Sequence, residues 1–162
     1  MLIELHLNDL KNARMPIRHY DPELDNISSI LVDVCQFISK ESFFRVSGFG
    51  EMNWPATLDT DLPVFLEQLP GILSAVFLAK LTNIDFYEQG IERTVFLNPV
   101  KSFYELSCTS QTHWQPNPQF ERISQVDLKQ MLAQVLETFI NLVRMIAPDL
   151  EQHLWMQDWL CA

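Results

Sequence analysis

The stretch Phe86 to Leu97, FYEQGIERTVFL, sets Glu88, Glu92 and Arg93 around a glycine and next to Tyr87. Glu88 and Glu92 are close enough in sequence to be read as paired carboxylates, but acid and base partners of that kind need a cleft, and the surrounding residues encode none. Cys108 and His113 are the one thiol and imidazole near each other, a nucleophile and base in principle or a strand-end cysteine followed by a polar loop. Asp59 and Asp61 in LDTDL could hold a hard cation, yet the later ligands and the glycine of a calcium loop are missing, and capping of a helix explains both. His6, His19 and His153 have no partner at metal-ligand spacing. Glycine-rich phosphate loops, nucleophile elbows, zinc-protease and kinase signatures are all missing, and a chain with 4 glycines is poorly supplied for cradling phosphate. The expectation is therefore no catalytic residue, no metal and no cofactor.

Composition narrows the partners. The 162 residues suit one α+β domain, and 48% hydrophobic content suits a single core. With 11 basic against 21 acidic residues the formal charge is -10, which argues against nucleic acid and an anionic membrane, since phosphate binding rests on clustered Lys and Arg. Between Val46 and Glu92 the acids Glu51, Asp59, Asp61, Glu67, Asp85, Glu88 and Glu92 face Lys80 alone, so seven minus one, or six, of the excess charges sit there. That concentration serves solubility, or it steers a basic partner. The start of the chain does not resemble a secretory signal, and no run reaches the length of a membrane span. Three widely spaced cysteines fit reduced thiols, and the expected compartment is the cytoplasm.

The elements that must position these residues follow from periodicity. LIELHL, Leu2 to Leu7, alternates as a half-buried strand, and Ile27, Ile30, Leu31, Val34 and Ile38 recur at helical spacing behind Asp25 or Asn26 as cap. Ser42 to Phe49 reads as a strand entering a turn. A helix starts at Thr60 or Asp61 with Leu62, Phe65, Leu66 and Leu69 as its stripe, and Pro70-Gly71 should break it before a second short helix. Strands are expected at Ile84 to Glu88, Glu92 to Leu97 and Ser102 to Cys108, an antiparallel meander with Asn98-Pro99 in its second turn. Ser124 and Asp127 cap a long helix to Ile146 whose broad stripe should lie across the sheet. Leu150 to Leu160 adds a last helix with Leu154, Trp155 and Trp159 as its buried side. The predicted architecture is one antiparallel sheet of about four or five strands with helices on one face.

Within the opening stretch, Ile84 and Phe86 are apolar at even positions while Ile91, Val95 and Leu97 are apolar at odd ones. A strand cannot change face without an added residue, so Gly90 belongs in a turn or bulge. Glu88, Glu92 and Arg93 are then polar because they lie at a sheet margin, or else Tyr87 and these charges project from it as a contact surface. Trp114, in the uncharged loop Ser110 to Phe120, is either tucked onto the core or displayed as an anchor.

The segments FRVSGFG, NWP, TDLPVFLEQLP, FYEQGIERTVFL and CTSQTHWQP together resemble small bacterial immunity-type cytoplasmic proteins, the partners of polymorphic toxins, over roughly Phe43 to Pro116. That resemblance implies toxin neutralisation and brings no functional residues with it. The function expected is a non-enzymatic, acidic protein-binding module, with Asp59, Asp61, Glu67, Tyr87, Glu88, Glu92, Arg93 and Trp114 as its contact residues for a basic toxin domain. The rival is a small enzyme or ligand carrier with a pocket between sheet and helices, and a third reading has the long helix pairing with itself.

Overall fold

The computed structural model describes residues 1–8, 10, 13–39 and 42–162. Strand β1 (Leu2–Leu7) pairs antiparallel with β2 (Ser42–Ser47), in register Leu2 to Ser47 and Leu7 to Ser42. Between them runs α1 (Ile27–Ile38), started by Asn26, whose side chain accepts the Ser28 N–H while Ser29 reaches back to the Asn26 N–H. The loop before it is fastened by Arg18, which donates to Asp25 and Asp33, and by the Tyr20 hydroxyl, which donates to Asp33. Arg18 beside Asp25 holds that carboxyl well below the usual carboxylate range.

The second sheet is a four-stranded meander of β3 (Thr82–Phe86), β4 (Arg93–Val100), β5 (Phe103–Ser110) and β6 (Phe120–Ser124), in that spatial order. The strands thus divide between two sheets where one was expected, and β6 fills the gap between the expected loop, which ended at Phe120, and the helix cap at Ser124, where no strand was expected. Its burial pattern explains the omission: Phe120 and Arg122 are exposed, so the strand carries no apolar alternation to read. Pro99 does not turn the chain either. It sits inside β4 opposite Tyr104, beyond Leu97, where β3 stops pairing, so its missing N–H faces no neighbour on that side.

The other correction concerns proline in a helix. Helix α2 runs unbroken from Asp61 to Phe77 with Pro70 inside it. A proline there removes the hydrogen bond to the carbonyl of Leu66, at a cost of about 3 kcal/mol in an isolated helix. Here the Leu66 carbonyl accepts instead from Trp159 Nε1 at 2.9 Å, a residue 93 positions away. Tertiary structure fills the acceptor that the local sequence leaves empty. Packing does not demand Gly71, since nothing stands within 4 Å of where a Cβ would be.

Helix α3 (Gln125–Ile146) begins as the sequence indicates, with the Ser124 side chain accepting from the Asp127 N–H at 3.0 Å. It packs on α2, on β1 and on the β5–β6 side of the meander, so Leu128, Leu132, Val135, Phe139, Leu142, Val143 and Ile146 join one core shared by both sheets. Its stripe is consumed inside the molecule, which leaves little for pairing with another copy. The chain ends with α4 (Pro148–Glu151) and α5 (Leu154–Leu160). On α5 Trp159 is buried as expected and Trp155 packs half-buried against the core, whereas Leu154 is 67% exposed and Met156 is buried instead. Among the described residues no helix is long and apolar enough to cross a membrane.

Candidate functional site

The turn joining β3 to β4 resolves the change of parity. Gly90 has φ +101° and Glu92 φ +43°, and the Glu88 carbonyl accepts from both the Ile91 and Glu92 N–H groups. The turn delivers Ile91 and Arg93 to the core and leaves Tyr87 55% exposed. Around Tyr87 stand Glu67 from α2, Glu88 from the turn and Asp85 from β3; partial burial first, and then their negative charges, raise the phenol above its ordinary titration range. Asp85 is itself held in place. Gln68 accepts the Asp85 N–H at 2.9 Å and donates to its carbonyl at 2.8 Å, and Thr94 donates to its carboxylate at 2.9 Å.

Arg93 goes the other way. Only 4% exposed, its guanidinium carbon lies 3.6 Å from the centre of the Trp114 ring and 4.5 Å from that of Trp54, with Nη1 2.7 Å from Glu51 Oε2. Two loops close over it. In the first, Gly48 and Glu51 exchange backbone hydrogen bonds and Trp54 Nε1 donates to the Gly48 carbonyl at 3.1 Å. In the second, Gln111 N–H donates to the Glu92 carbonyl and Asn117 N–H to the Phe49 carbonyl, each at 3.0 Å. The approach is so close that a Cβ on Gly50 would meet the Asn117 carbonyl oxygen at 1.9 Å. Glu121 clasps the same region, accepting from the Phe49 N–H and from the amino group of Met1. Arg93 is a fastener rather than a contact residue, and Trp114 is tucked in, half-buried.

Of the predicted contact residues, then, Glu67, Tyr87 and Glu88 come together, and Asp85, which sequence reasoning had counted only as charge, joins them. Glu92 is half-buried in the turn. Asp59 is exposed at the head of α2, where its charge acts on Asp61 and on the Cys35 thiol. Asp61 is 4% exposed. One of its oxygens accepts from the Thr57 N–H at 2.7 Å and the Thr57 hydroxyl at 3.1 Å, while the other is buried without a partner. It bridges backward instead of capping the helix directly, and burial raises its carboxyl above the ordinary range.

The covalent alternative gains little from the geometry. Cys108 is 6% exposed, burial pushes its thiol up to about 12, and its sulfur contacts the Thr109 carbonyl at 3.6 Å. The cavity of about 330 Å³ beside it is lined by Cys108, Ser110, Gln115 and Phe120 among others, and not by His113, which is exposed. A wider groove of about 430 Å³ runs between β1 and α3, where Glu4, His6, Asp127, Gln130 and Gln134 line its walls. No group of three or more His, Cys, Asp or Glu suited to a metal occurs among the described residues. Comparison with protein-family models, curated proteins and solved structures finds no match to this chain.

Proposed function

We propose that the chain is a non-enzymatic binding protein that meets a basic protein domain through Tyr87 and the carboxylates of Glu67, Asp85 and Glu88, in the manner of an immunity protein neutralising a toxin in the cytoplasm. The observation that carries this reading is the exposed tyrosine ringed by three acids from three elements. An aromatic ring supplies contact area at small entropic cost, and surrounding charge of one sign speeds encounter with its opposite. The half-buried Trp114 and the sealed Arg93 box give that surface a rigid base.

The test is association with a basic toxin domain encoded beside the gene, measured by surface plasmon resonance. Raising salt from about 0.05 M to about 0.5 M is expected to slow association about tenfold or more, as is the pair Glu67→Gln/Glu88→Gln. Tyr87→Ala is expected to speed dissociation about tenfold or more while leaving the association rate nearly unchanged. Association indifferent to salt and to both carboxylates would overturn the reading. The groove between β1 and α3 supports a second reading, a small-ligand carrier, which a shift in melting temperature on ligand screening, lost with Gln134→Leu, would favour.

A further inference from the structure

The strands of the meander put two chemically different ends on the molecule. At one lie the β3–β4 turn and its acids; at the other converge the C-terminus of α2, the β4–β5 turn and the N-terminus of α3. The convergence is hydrogen-bonded: Gln125 Nε2 donates to the Val76 carbonyl at 2.8 Å, Gln125 N–H to the Ser102 carbonyl at 3.0 Å, and the Tyr104 hydroxyl to the Lys80 carbonyl at 3.1 Å. This end displays Phe77 (67% exposed), Leu78 (54%), Leu81 (70%) and Val126 (72%). Scattered single apolar side chains are ordinary on a surface; four large ones at one tip are not. The same tip carries Lys80, Lys101 and Lys129, three of the chain's five lysines, against Asp127, which is engaged with Ser124. Lys129 Nζ lies 4.3 Å from the centre of the Phe77 ring, so charge and apolar surface are interleaved.

We infer that this tip is a docking surface for an anionic lipid bilayer, with Phe77, Leu78 and Leu81 entering the interface and the three lysines meeting the headgroups. Leu78 and Leu81 flank an exposed turn, where Ala79 has φ +50° and returns the chain from α2 to β3, with Phe77 closing α2 and Val126 opening α3 beside it. A soft interface accepts a protruding tip, whereas a protein partner anchors large side chains in pockets of its own. The net charge of -10 points the other way, but it is spread unevenly. Glu67 lies ten residues before Phe77 on α2 and Asp85 five residues after Lys80, so the acids of the opposite end stand about 15 Å or more from the lysine end, about twice the ~8 Å screening length of physiological salt. At contact the lipid feels the near lysines and little of the distant acids. This inference rests on no part of the toxin-binding reading, which uses the opposite end.

The experiment is flotation of the purified full chain with vesicles of phosphatidylcholine alone and of phosphatidylcholine with about 30% phosphatidylserine. Partitioning about tenfold or more greater onto the anionic vesicles is expected, weakened about tenfold by Lys80→Gln/Lys129→Gln and likewise by Leu78→Glu/Leu81→Glu. Because Leu78, Lys80 and Leu81 are exposed and Lys129 is half-buried, melting temperature should stay within a few degrees of the parent; should the leucine pair disturb folding, the lysine pair decides alone. No partitioning onto anionic vesicles overturns the inference, and so does partitioning that ignores both pairs. Self-association in sedimentation that Leu78→Glu/Leu81→Glu abolishes, without vesicle binding, would assign the tip to a second copy and overturn it too.

Discussion

Arg93 shows how much a single charge can be asked to hold. Its guanidinium lies in the corner formed by two indoles set at 62° to each other and is paired with Glu51, and it is desolvated on nearly every side. By contrast the Arg122–Glu105 pair, with the arginine 66% exposed, is screened by water and worth well under 1 kcal/mol. Arg93→Ala is therefore expected to cost about 3 kcal/mol in urea unfolding, through lost stacking and a carboxylate left without its partner. Arg93→Lys should recover only part of this, since the ammonium keeps the charge and loses the planar stack. A loss as small as that of Arg122→Ala would remove the box from the account. Asp61 presents the reverse case, a charge the fold resists. Its carboxyl titrates above the ordinary range when folded, so the unfolded chain releases its proton first as pH rises, and stability falls between the ordinary carboxylate range and the folded value. The stability difference between wild type and Asp61→Asn should accordingly move in favour of Asn as pH rises above the ordinary carboxylate range. A gap that stays constant, or moves the other way, would show that the two Thr57 hydrogen bonds outweigh desolvation.

Among the elements, β3 is one of the two edge strands of the meander, and α2 closes its outer side with one residue. Gln68 offers its carbonyl and amide to the Asp85 N–H and C=O, as a neighbouring strand would, while also donating to the Val64 carbonyl. Gln68→Ala should cost about 1–3 kcal/mol in urea unfolding, because it leaves a half-buried backbone donor and acceptor with only water to replace them; no measurable cost would mean that water substitutes fully. Gln68 and Trp159 also mark where sequence reading stops. The capping of α1 and α3, the strand β1 and the Gly90 turn depend on residues a few positions apart, and all were legible. The continuity of α2 through Pro70 depends on Trp159, and β6 depends on pairing with β5, so neither leaves a local trace. The candidate site divides the same way. Glu88 and Tyr87 are neighbours in sequence, but only folding brings Glu67 beside them, and only folding shows that Arg93 turns inward. Spacing reports which residues could face solvent at a turn; it does not report which of them the opposite loops will cover.

For the molecule as a whole, the two sheets share one set of buried side chains, with Phe44 of β2 stacked on Phe65 of α2, and Phe65 in turn on Phe86 of β3. A core continuous across both sheets should unfold as a unit. Tryptophan fluorescence, which samples the Arg93 box and the C-terminal helices, and far-UV circular dichroism, which samples every element, should give the same urea midpoint; two separated midpoints would show that the shared core does not unfold as a unit. The uneven placement of charge has a consequence of its own. Because its opposite poles stand a strand's length apart, this body experiences a torque in any external field, and it is turned before anything touches it.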